Sequence, residues 1–285
     1  MEILLFRAIF APCVVLLVSL AARRIGPRAG GRLLGTPTTT GPFLLLVSLG
    51  DGTRAAAGSV HGCVLGQVAV AGFCLGYGRL APRLRPAWTL AAALACAAIA
   101  ELVAELIAAS CAGTDSSADM ELTAALDVAL IVAGLLTWPA PTSDDQPADT
   151  PRRWEIPARM AISGVTVLVA VTVADAAGPF VGGMLSSAPI LLAIMAPSIH
   201  RSAGPDAAAQ FARAALTSGL ATVSFLLVLD AALEPLGAPA AFALALAGLV
   251  LVDRLAWILA APRLPRLTVR GPASGPSHGI RAGLQ

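Results

Sequence analysis

Uncharged apolar runs of membrane-spanning length constrain this chain more than any motif in it. A bilayer core of roughly 30 Å needs about 20 helical residues to cross it. Nine such runs occur, at approximately 3–21, 33–50, 56–80, 87–111, 119–138, 157–175, 181–199, 207–233 and 238–261. The second and seventh are short, proline-interrupted and rich in Gly, Ser or Thr, which makes each a candidate for a broken or re-entrant helix. Only 13% of the 285 residues are charged, against about a quarter in a soluble domain, too few to cover a water-facing surface. The expected fold is all-α, a polytopic integral membrane protein. That excludes a soluble enzyme, a nucleic-acid binder and a disulfide-stapled secreted domain.

All basic residues are arginines, and their placement predicts an orientation. Arg23, Arg24, Arg28 and Arg32 follow the first run, and Arg79, Arg83 and Arg85 follow the third. Arg152, Arg153 and Arg159 follow the fifth, Arg201 and Arg213 surround the loop after the seventh, and Arg263, Arg266, Arg270 and Arg281 lie in the tail. The opposite side carries only Arg7 and Arg54, with Asp51, Asp115, Asp119, Asp175 and Glu234. Loops rich in arginine stay cytoplasmic. The expectation is a bacterial inner-membrane protein with its N-terminus outside and its C-terminus in the cytoplasm. Ser19-Leu20-Ala21 imitates a signal-peptide cleavage site, but the arginines after it oppose translocation, so the first run is kept as a helix.

Self-similarity organises the rest. Gly26 to Pro37 aligns without a gap with Gly178 to Pro189, sharing six of twelve residues, and the same offset of 152 places Arg7 on Arg159. At an offset of 153, Gly66 meets Gly219, Leu80 meets Leu233 and Pro86 meets Pro239. Residues 1–111 and 157–262 thus read as two four-helix repeats. Residues 112–156 supply one connecting helix and a polar linker, and 263–285 form a Gly/Pro/Ser-rich tail of disordered composition. An odd helix between two four-helix units turns the second upside down. The charges agree, because the first loop of the repeat is basic in one unit and acidic in the other.

Arg7 opening the first helix, followed by Gly30-Gly31-Arg32-Leu33 through Pro37 leading into a short second helix, resembles the small four-helix GlpM family of bacterial inner-membrane proteins. The second half repeats the pattern, with Arg159 and then Gly182-Gly183-Met184-Leu185 through Pro189. The resemblance covers each half and leaves the fifth run and the tail unmatched. It implies an inner-membrane location and an envelope-related role, and it transfers no catalytic residues.

Ionisable groups at bilayer depth are costly and so are functional candidates. Glu101 and Glu105 share a face of the fourth run, and Asp127 lies near the middle of the fifth, which runs antiparallel beside it. The three form a proton-coupling candidate if they meet, and packing groups in a polar seam if they do not. Asp253 occupies the place the repeat gives to Glu101, and Arg254 beside it offers an internal ion pair instead. Arg7 and Arg159 are candidates for an anionic lipid or solute, or interfacial anchors. Thr38 and Thr39 in one unit, and Ser186 and Ser187 in the other, place hydroxyls beside prolines in corresponding broken segments, a pattern that marks transport sites.

Gly58, Gly62 and Gly66 form a close-packing face, within the chain or at a homodimer seam. His61 has no second ligand near it in sequence, and the five cysteines have no metal-ligand spacing. No metal, cofactor or catalytic residue is expected, since there is no nucleophile elbow, Walker loop or His-Glu-x-x-His pair. Three functions remain open: a secondary transporter or translocator of a lipid or solute, a scaffold subunit of an envelope complex, and an intramembrane enzyme acting on a lipid or isoprenoid.

Overall fold

The computed structural model describes residues 37–111, 116–138 and 155–260, and no strand occurs among them. The helices are α1 (Thr40–Gly50), α2 (Thr53–Leu80), α3 (Pro86–Cys111), α4 (Ser116–Leu136), α5 (Glu155–Ala177), α6 (Pro179–Ser187), α7 (Ile190–Ala203) and α8 (Pro205–Ala260). The run at 3–21, Arg7, the first copy of the repeat from Gly26 to Thr36, the linker and the tail lie outside the described residues. Of Arg159 only its place on α5 is described.

Four helical stretches are long and apolar enough to cross a membrane: Thr53–Leu80, Pro86–Ser110, Pro179–Ala203 and Pro205–Ala256. That is fewer than the nine runs in the sequence. Within the described part of the run at 33–50, the helix spans Thr40–Gly50, 11 residues. The run at 181–199 breaks after Ser187. Its Gly-Gly-x-Leu-x-x-x-Pro segment, read as a loop, is helix α6. The last two runs are both helical and share the label α8, though they form two helices rather than one rod. Gly237 at φ 73° breaks the helical geometry between them.

Glycine and proline set the helix starts. α6 and α8 each open on a Gly-Pro pair, with Gly178 and Gly204 at φ 100° and 94°. Only glycine takes this conformation without strain, and proline suits a first helical position because the N–H it lacks would be unpaired there. Gly52 precedes α2 with φ 89° and ψ 172°, and Gly204 precedes α8 with φ 94° and ψ 174°. These glycines stand at the 152-residue offset.

α2 runs through the centre. A Cβ on Gly62 would collide with the Phe180 carbonyl oxygen of α6, and one on Gly183 with the Ser59 carbonyl oxygen of α2. On another face, Gly72 and Gly76 would meet Ala100 and Cys96 of α3 at 2.8 and 3.0 Å. Small residues let helix backbones approach where lipid supplies no hydrophobic drive for association. The sequence left open whether the Gly58–Gly66 face packs inside the chain or on a second copy; Gly62 and Gly66 are occupied by α6 of the same chain.

Contacts also fix helix directions. His61 near the start of α2 pairs with Asp230 of α8 at 3.9 Å, while Leu75 near the end of α2 and Leu216 both approach Gly134. α2 and the first half of α8 are therefore antiparallel. At one end of the bundle the Arg79 guanidinium donates to Thr137 Oγ1 at 2.6 Å, and Tyr77 Oη lies 3.3 Å from His200 Nδ1. The ends of α2, α4 and α7, each followed in sequence by arginines, thus lie together. α3 and the second half of α8 turn Leu94, Ile99, Leu102, Leu106, Leu246, Val250, Leu251 and Leu255 outward, as lipid-facing helices do.

Candidate functional site

The site begins with two breaks in helix geometry. Pro189 disfavours helical backbone at the residue before it. Ala188 is accordingly extended, at φ −57° and ψ 146°, and α6 ends there. α7 restarts at Ile190 with no side-chain cap. Pro37 similarly precedes a turn, its carbonyl accepting from Gly41 N at 2.8 Å, before α1 begins, also without a side-chain cap.

These two breaks meet. Thr39 Oγ1 donates to the Ser186 carbonyl at 3.0 Å, and Thr40 Oγ1 lies 3.1 Å from Ser187 Oγ, although 147 residues separate each pair. Ser186 Oγ donates to the Gly183 carbonyl at 2.8 Å and lies 3.4 Å from Cys63 Sγ of α2. The knot is buried, with Ser186 fully inaccessible. Hydroxyls of one broken segment thereby satisfy the C-terminal carbonyl that the other leaves open.

Beside the knot is a cavity of about 60 Å³, lined by Pro37 to Thr40, Gln67, Val70, Ser187 to Pro189, Leu191, Leu192, Ala215, Gly219 and Thr222. A water needs roughly 10–15 Å³ measured this way, so the space holds a few waters or one small solute. None of the described side chains that line it is charged. Gln67 stands mid-way along α2, which places the cavity at mid-height in the bundle.

The structure brings Thr38, Thr39, Ser186 and Ser187 to one place. It does not do so for the acids. Asp127 is fully buried, with neither carboxylate oxygen hydrogen-bonded, on the side of α4 toward Cys74 of α2. Glu101 is half-buried and Glu105 exposed on α3, and among the described residues no cluster of three His, Cys, Asp or Glu exists that could hold a metal. The expected meeting of three carboxylates is therefore corrected. The helices are neighbours, but Glu105 is exposed and Glu101 only half-buried, while Asp127 is fully buried toward α2. Asp253 is half-buried beside exposed Leu251 and Arg254, and no ion pair joins it to Arg254.

Gln67, Gly219 and Thr222 are site residues that the sequence did not point to. Gln67 carried the available signal, as the one carboxamide in the run at 56–80. No protein-family model, curated protein or solved structure matches the chain, so its function is read from its own geometry.

Proposed function

We propose that this chain is a small secondary transporter of the cytoplasmic membrane, with its solute site in the cavity where α1 meets the α6–α7 break. One observation carries the reading: two proline-marked, unwound segments from opposite halves of the chain converge on a polar cavity at mid-height among apolar helices. Non-helical backbone is tolerated at membrane depth where protein buries it or a cavity hydrates it, and transporters place their solutes at such breaks.

The reading includes nine crossings and two inverted units. The antiparallel course of α2 and α8 supports it, as do the matched backbone angles of Gly52 and Gly204. The GlpM-like pattern in each half and the cytoplasmic placement of the arginine-rich end belong to the same proposal. Proton coupling by Glu101, Glu105 and Asp127 has no supporting arrangement and is not part of it. The scaffold reading relied on a Gly58–Gly66 face that α6 largely covers, and the enzyme reading lacks acids gathered at a cavity.

The test is accessibility from both sides of the membrane. In a background with Cys13, Cys96 and Cys111 replaced by Ala, Thr38→Cys and Ala188→Cys would be treated with a membrane-impermeant maleimide in right-side-out and in inverted vesicles. A transporter that alternates exposes the site to each face in turn, so both preparations should label. Labelling from one face only, or from neither, overturns the proposal.

A further inference from the structure

α1 and α7 approach the cavity from opposite sides, each with its N-terminus inward. α1 runs from Thr40 at the cavity to Gly50, where a tight turn joins the start of α2. α7 runs from Ile190 at the cavity to His200, which meets Tyr77 near the end of α2. One helix therefore leads away toward the start of α2 and the other toward its end. Neither has an acidic residue in its first turn.

Among the described residues, the first amides of both helices lack backbone acceptors. Gly41 N donates to Pro37 and Phe43 N to Thr39, but Thr38, Thr39 and Thr40 N–H have no backbone partner among the described residues, and neither do Leu191 and Leu192 N–H. All five of these residues line the cavity. Each helix N-terminus acts as about half an elementary positive charge, so two facing one cavity offset about one negative charge.

Gln67 is an independent observation. It is only 7% exposed, lines the same cavity, and its carboxamide has no hydrogen-bond partner among the described residues. A buried carboxamide without a partner is costly unless something fills the space before it. The described residues offer a set of donors: main-chain amides from two helix starts and the Gln67 amide.

We infer that the cavity between the N-termini of α1 and α7 binds one small monovalent anion, held by those amides and by Gln67 Nε2. The cavity volume admits a halide, nitrate or formate and excludes a lipid head group. The inference rests on the transporter reading only for its purpose, since a site can bind without alternating.

The experiment uses the full chain purified in detergent, with thermal unfolding followed in sodium chloride, nitrate, formate or gluconate at fixed ionic strength. The small anions should raise the midpoint relative to gluconate, which is too large to enter. Gln67→Glu, which places a negative charge among the donors, should abolish the difference. Gln67→Met, which keeps the volume but loses the donor, should weaken anion affinity by about tenfold or more. No anion-specific shift, an equal shift in both variants, or a shift that follows the cation when sodium is exchanged for potassium would each overturn the inference. Labelling from both faces without an anion effect removes this inference and keeps the transporter. An anion effect with one-sided labelling does the reverse.

Discussion

Gly62→Ala is the sharpest test of the packing, because the same α2 face supplies its own control. At Gly62 a methyl group would run into the Phe180 carbonyl oxygen, with Met184 N at 2.9 Å. At Gly66 the nearest atoms, Met184 O and Ser187 Cβ, stand at 2.8 Å, about 0.6 Å inside the 3.4 Å where ordinary contact begins. Backbone cannot swing aside as a side chain does, so α6 must move away. Overpacking of this kind costs about 1–3 kcal/mol, and alanine returns up to about 1 kcal/mol of helix propensity. A net loss of about 1–2 kcal/mol is expected for Gly62→Ala. At Gly58 the nearest atom is Pro179 Cβ at 3.8 Å, an ordinary contact, so Gly58→Ala should be neutral or stabilising by up to about 1 kcal/mol. Gly183→Ala presses on the same crossing from the other side, through Ser59. Once one methyl has parted the helices the second costs less, so Gly62→Ala with Gly183→Ala should fall short of additivity by about 0.5 kcal/mol or more. Equilibrium unfolding in mixed micelles, followed by circular dichroism at two protein concentrations, measures all four. Equal stabilities for Gly58→Ala and Gly62→Ala, or a Gly62→Ala effect that disappears on dilution, would refute a crossing inside the chain.

Thr40→Val and Ser187→Ala each remove the 3.1 Å hydroxyl contact between the broken segments and should each cost about 1 kcal/mol, with the double variant costing little more than either, by the same unfolding assay. Asp127→Val replaces a buried carboxylate whose oxygens have no hydrogen-bond partner, and should be neutral or stabilising by about 1 kcal/mol; a loss above about 2 kcal/mol would reveal an interaction that the fold does not display. Glu105→Gln on the exposed face of α3 should change stability by less than about 0.5 kcal/mol. Mass spectrometry after brief maleimide treatment of the folded protein should find Cys63 and Cys74 unmodified and half-buried Cys96 modified, with all three reacting after denaturation.

The acids show why part of the site could not be read in advance. Glu101 and Asp127 sit at comparable depth on adjacent helices, and depth follows from counting residues along a run. The direction in which each side chain turns does not. α3 is apolar around its whole circumference, with Leu94, Ile99, Leu102 and Leu106 exposed and Ala93, Ala97 and Ala104 buried, so no stripe of hydrophobic residues marks its inner face. In lipid both faces are apolar, and residue size decides which one packs: alanines lie against Gly72 and Gly76, and leucines turn outward.

The chain's covalent order alone determined that it carries apolar helices of membrane length, where glycine and proline interrupt them, and that Pro37 and Pro189 each mark such an interruption. Those are local properties, set by backbone sterics and by the hydropathy of consecutive residues. Only the folded packing decided that these segments touch, that Gln67 faces the space between them, that α6 fills the glycine face of α2, and that the carboxylates scatter. Each of these joins residues far apart in the chain, and such pairings follow from the fit of whole helices against one another rather than from the residues beside them in sequence.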